Sequence, residues 1–61
     1  MERLRIAVHG ACGRMGQRVA AGVHRDPELI LCAALESQSH PKSGMDIGSI
    51  CGLGELGITV T

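Results

Sequence analysis

Apolar positions along this chain fall into three patterns, and each predicts a different kind of element. Leu4 to Val8 is a short, mostly apolar run followed at once by glycine, which predicts a buried parallel strand over Arg5 to Val8. From about Gly13 to Arg25 the period lengthens. Met15, Val19 and Val23 recur every four residues beside Cys12, Gly16 and Ala20, the apolar stripe of a helix, while Arg14, Gln17, Arg18 and Arg25 take the solvated face. Small residues along the stripe let such a helix sit close on a sheet. His24 and Arg25 fall at the negative end of the helix dipole, and Asp26-Pro27 stops it. Leu29 to Leu35 is a second strand with Glu36 at its C-terminal tip, so the run from Leu4 to Glu36 reads as one right-handed βαβ unit.

Beyond Ser37 the periodicity dissolves. Five glycines between Gly44 and Gly57, and four serines from Ser37 to Ser49, predict a long loop with one helical turn near Asp46 to Ile50. Ile58-Thr59-Val60-Thr61 alternates apolar and polar, as a short third strand would. The class is therefore α/β: a Rossmann-type βαβ unit plus a third short strand, a fragment of a doubly wound parallel sheet. That fold repeats a βαβαβ half twice, so residues 1–61 are expected to be the N-terminal portion of a dinucleotide-binding domain, with any substrate domain outside the chain. A domain of this size buries only about 60% of its unfolded surface, and this one has no Phe, Tyr or Trp to enlarge its core. Marginal stability and a self-associating third-strand edge are expected.

The chemistry lies in the first turn. Gly10, Gly13 and Gly16 stand between strand and helix, and Glu36 follows twenty positions after the last of them. A pyrophosphate must approach the backbone closely, which glycine permits, and the helix start presents unpaired N–H groups and a positive dipole end to the anion. An acid about twenty residues on lies at the tip of the next strand, where it can accept hydrogen bonds from the adenosine ribose. A chain with nine glycines yields spaced triplets readily; strand, helix and acid around this one are what give it meaning.

Composition narrows the alternatives. Six basic residues balance six acidic ones, and no aromatic ring is available for stacking, which argues against a nucleic-acid binder. The apolar runs are too short to span a bilayer and the N-terminus leads into a strand, so a cytoplasmic protein is expected. Cys12, Cys32 and Cys51 lack the close pairing of zinc or redox motifs, and His9, His24 and His40 show no ligand spacing, so no metal site is expected.

The turn reads Gly10-Ala11-Cys12-Gly13-Arg14-Met15-Gly16, and its Gly-Arg-Met-Gly ending is much narrower than the general fingerprint. With Arg5-Ile6-Ala7-Val8, Ala33-Ala34-Leu35-Glu36 and the spacing of Gly44, Asp46, Gly48, Gly52, Gly54, Gly57, Ile58 and Val60, it resembles the dihydrodipicolinate reductase family over nearly the whole chain. The resemblance implies an enzyme that uses NADH or NADPH to reduce a cyclic dipicolinate precursor to tetrahydrodipicolinate in diaminopimelate and lysine biosynthesis. It also implies a homotetramer as the full-length protein. Gly10, Ala11, Cys12, Gly13, Arg14 and Met15 would wrap the pyrophosphate, with Gly16 closing the turn, and Glu36 would hold the ribose. The family's His-His acid, lysine and Gly-Thr clamp have no counterpart here, so no catalytic side chain is assigned and the chain alone is expected to be inactive. Two positions depart from the family. His9 stands where a small residue is expected, either packed at the strand end or touching the cofactor. Ser37 replaces an arginine that many members carry for the 2′-phosphate of NADPH. A non-catalytic NAD(H)-sensing module, or another Rossmann oxidoreductase such as homoserine dehydrogenase, would share the glycine turn.

Overall fold

The computed structural model describes residues 3–61, as β1 (Leu4–His9), α1 (Arg14–Arg25), β2 (Leu29–Leu35) and α2 (Ile47–Cys51). The strands pair in parallel, from Leu4 opposite Leu29 to His9 opposite Leu35, and the expected βαβ unit is present. Between Ile6 and Ala7 the register slips, leaving Cys32 without a partner on β1. Its thiol instead donates to the Ile6 carbonyl at 3.3 Å. A parallel pair needs a crossover, and α1 supplies it. Gly13 is the N-cap of α1 in extended conformation, and Asp26 ends the helix by donating its N–H to Val23.

The face that α1 buries is Gly16, Ala20 and Val23. Met15 and Val19, expected on the apolar stripe, are 72% and 44% exposed. Side-chain bulk explains the shift: the smallest residues set the line of closest approach, and the larger ones beside them are rolled to the rim. At Gly16 the approach is extreme, since a Cβ there would lie 2.7 Å from the Gly10 carbonyl carbon and 2.8 Å from Ala11 Cα.

The core gathers Val8, Leu31 and Ala34 from the strands and Ala11 and Cys12 from the turn, with Ala20 and Val23 of α1 and the fully buried Ile47 and Val60. Arg5, Ala7, Ile30 and Cys32 are exposed. The expectation that β1 is a buried strand therefore holds for Val8 alone, because one helical layer covers one face and a parallel sheet needs two.

The expected third strand is reduced to a bridging segment. Val60 bridges Ala34 in parallel and Thr59 bridges Asp46 in antiparallel sense. The Thr61 N–H donates to Ala34 at 3.0 Å on one side, and the Val60 N–H donates to Met45 at 2.8 Å on the other. That edge is thus covered by the chain's own loop, not exposed; among the described residues the unpaired sheet edge is that of β1.

One side chain organises the glycine-rich loop. Asp46 caps α2, its Oδ1 accepting the N–H groups of Gly48 at 2.8 Å, Ser49 at 3.3 Å and Leu56 at 2.9 Å. Its Oδ2 accepts those of Gly57 at 2.7 Å and Ile58 at 3.0 Å. These bonds, that of Leu56 foremost, hold the carboxyl below its ordinary range. No helix among the described residues is long and apolar enough to cross a membrane.

Candidate dinucleotide site

β1 delivers the chain to Gly10, which turns it with φ of +71°, a left-handed conformation that glycine adopts without strain. The Gly13 N–H donates back to the Gly10 carbonyl at 3.1 Å, and α1 starts at the next residue. No side chain caps it. The N–H groups of Arg14, Met15 and Gly16, the first of the helix, have no acceptor within it and form its positive end.

The three glycines do different work. Gly16 is required by packing, as its missing Cβ shows. Gly13 has ordinary geometry, φ −76° and ψ 168°, and a Cβ on it would meet only the Gly10 carbonyl oxygen, at 3.5 Å. Nothing in the protein's own packing calls for glycine at that position. Beside it a groove of about 450 Å³ runs between β1 and α1, lined by His9, Gly10, Gly13, Arg14, Met15 and Gly16 among others. His9 is exposed on this groove rather than packed into the core, and Arg14, also exposed, lines it.

Ala11 and Cys12 point into the core, and their N–H groups are engaged. That of Ala11 donates to the Leu35 carbonyl at 3.0 Å and that of Cys12 to Glu36 Oε2 at 3.2 Å. The N–H groups of residues 11 and 12 thus have acceptors within the protein, whereas those at the head of α1 have none within the helix.

Glu36 lies beside the turn because β2 runs parallel to β1 and ends level with it. Its Oε1 accepts the Ser37 N–H at 2.9 Å. That bond above all, with the Cys12 N–H and the nearby His40 and His9, keeps its carboxyl ionised below the ordinary range. The carboxylate therefore ties the tip of β2 to the glycine turn, a structural task that residue spacing did not reveal. Burial, and then the charge of Glu36, push the Cys12 thiol up, against a weaker opposite pull from Lys42. The fold brings Cys12, Glu36 and His40 together, with one potential ligand atom of each within 4.8 Å of the others. Linear spacing hid this group, because it spans the turn, a strand tip and a loop.

Residues 4–61 match the family described as dihydrodipicolinate reductase, N-terminus. A protein of Citrifermentans bemidjiense named 4-hydroxy-tetrahydrodipicolinate reductase is 43% identical over 58 residues, covering 95% of this chain and 22% of its own length. The protein of that name from Methanothermobacter thermautotrophicus is also 43% identical, over 95% of this chain and 21% of its own. That of Rubrobacter xylanophilus is 36% identical over the same share of this chain. The chain spans about a fifth of the length of these relatives. With the parallel β1–β2 pair, the glycine turn and nearly every residue matched, the chain belongs to the dihydrodipicolinate reductase family, as its N-terminal, Rossmann-type segment.

Proposed function

We propose that this chain holds the adenosine and pyrophosphate half of NADH or NADPH in a 4-hydroxy-tetrahydrodipicolinate reductase of lysine and diaminopimelate biosynthesis. The observation that carries this reading is Gly13, a glycine that the protein's own packing does not need, at the head of an uncapped twelve-residue helix. A pyrophosphate seated there accepts from the N–H groups of residues 14–16 and meets the dipole end of α1. Arg14 adds a charge-assisted contact. Glu36, already ionised and oriented by two backbone N–H groups, accepts from the ribose hydroxyls through its remaining lone pairs. When bound, the reduced nicotinamide would supply the hydride for the reduction, and the proton and the substrate clamp would come from residues outside this segment.

The test is a titration with NADH followed by its own fluorescence, which no Trp or Tyr of the chain obscures. Gly13→Val places a branched side chain in the space left for the pyrophosphate and abolishes the titration. Unchanged NADH affinity in that variant overturns the assignment.

A further inference from the structure

The Cys12 Sγ, a Glu36 carboxylate oxygen and a His40 ring nitrogen converge at the junction of turn, strand tip and loop. We propose that these three side chains form a binding site for a thiophilic divalent cation, Zn²⁺ or its spectroscopic substitute Co²⁺. Thiolate, imidazole and carboxylate are the three side-chain donors that zinc takes, and a thiolate selects against Mg²⁺ and Ca²⁺.

The geometry allows it with a small closure. Ligands about 2.0–2.3 Å from a tetrahedral zinc stand roughly 3.3–3.8 Å apart, so atoms now within 4.8 Å of one another need to approach by about 1 Å. Cys12 is buried in the core and Glu36 is anchored by two backbone N–H groups. His40, on the loop, is the member able to move. Its Nδ1 now accepts the Lys42 N–H at 3.1 Å. Ligation gives up that bond, either because Nδ1 turns to the metal or because the ring proton shifts to Nδ1 and Nε2 ligates. Binding also displaces the Cys12 thiol proton to solvent, and the two negative charges of thiolate and carboxylate then balance the cation. Three protein ligands leave a fourth position for water.

Glu36 is the same carboxylate that would hold the ribose, so cation and dinucleotide compete for it; this consequence rests on the function proposed above. The primary experiment needs no dinucleotide. Co²⁺ is titrated into the chain and the thiolate-to-cobalt charge-transfer band in the near ultraviolet is followed, with Zn²⁺ then displacing it. The band appears in the parent and in Cys32→Ser and Cys51→Ser, disappears in Cys12→Ser, and in His40→Gln requires more than about a hundredfold higher Co²⁺, beyond what loss of an outer-sphere contact costs. Far-ultraviolet circular dichroism of His40→Gln, a loop substitution, verifies that the fold is retained. No thiolate band in the parent, or a band that survives Cys12→Ser, overturns the site. A second titration, NADH with and without Zn²⁺, separates the two readings. NADH binding without any cobalt–thiolate band sinks the metal site alone, whereas a cobalt–thiolate site whose filling leaves NADH affinity unaltered upholds the site and removes Glu36 from the ribose.

Discussion

Replacing Gly13 and Gly16 by alanine, one at a time, separates ligand space from packing space. At Gly13 the backbone conformation suits any residue, and the new methyl lies 3.5 Å from the Gly10 oxygen, an ordinary contact. Alanine is the poorer N-cap, by up to about 1 kcal/mol, but it removes about 0.4–1 kcal/mol of unfolded-chain entropy. The net effect on stability is within about 0.5 kcal/mol. At Gly16 the methyl would fall on three backbone atoms, the Gly10 oxygen and carbon and Ala11 Cα. Unlike a side-chain tip, these cannot rotate away, since the Ala11 N–H is fixed to Leu35. The cost is at the upper end of overpacking, about 3 kcal/mol, less about 1 kcal/mol of helix propensity that alanine gains over glycine. The remaining loss, about 2 kcal/mol, lowers the melting temperature of a domain this small by roughly 8–16 °C.

Thermal melts by far-ultraviolet circular dichroism, run beside NADH titrations, read both quantities. Gly13→Ala melts with the parent and binds NADH about tenfold or more weakly, a difference of about 1.4 kcal/mol. Gly16→Ala melts well below it. A Gly16→Ala variant melting with the parent would refute the close approach of α1 to the turn. Gly13→Ala melting as low as Gly16→Ala would show that Gly13 serves packing after all, and the argument for ligand space would fall with it.

Three further outcomes follow from the same structure. Asp46 is held ionised below its ordinary range by its backbone donors, so its contribution is complete above about pH 4 and is lost as pH falls from there through the lowered folded-state value; Asp46→Asn lowers the urea midpoint at pH 7 and flattens its acid dependence, and an unchanged acid limb would contradict this. Ile47, fully buried, loses about 2–5 kcal/mol on truncation to alanine, against a total of about 3–9 kcal/mol for a chain of this length; Ile47→Ala therefore gives up a large part of that stability and melts well below the parent by circular dichroism, and a parent-like melt would be evidence against a core centred there. On the function proposed above, Ser37 brings no cation to the carboxylate of Glu36, so the full-length protein uses NADH at least as well as NADPH, and Ser37→Arg raises kcat/KM for NADPH more than for NADH by pairing with the 2′-phosphate; a strong parental preference for NADPH that the arginine leaves untouched would place the phosphate on other residues.

What the sequence made legible was local or periodic. Leu29 to Leu35 could be read as a strand because seven apolar residues lie between Asp26-Pro27 and Glu36, and the structure keeps those bounds. The start and stop of α1 were equally plain, because glycine and Asp-Pro act on their neighbours through φ and the missing N–H. Which face of α1 is buried was not plain. Hydropathy weights Met15 and Val19 most, whereas contact distance favours Gly16 and Ala20, and only the approach to Gly10 decides between them. The loop was opaque for a different reason: Asp46 binds Leu56, Gly57 and Ile58, ten to twelve positions on, and no period marks such a closure. Glu36 joins both cases. Its spacing from the glycines was visible and suggested a ribose partner. Its bonds to Cys12 and Ser37 were not, and they show that the carboxylate already works as a latch between β2 and the turn. An acid at that spacing thus has a task in the fold beside the ribose contact proposed for it. Glu36→Gln separates them, because the amide oxygen can still accept one backbone N–H while its NH₂ group faces the other as donor to donor. If the latch matters, loss of NADH binding in Glu36→Gln comes with a lower melting temperature; if only the ligand matters, binding falls and the melt does not move.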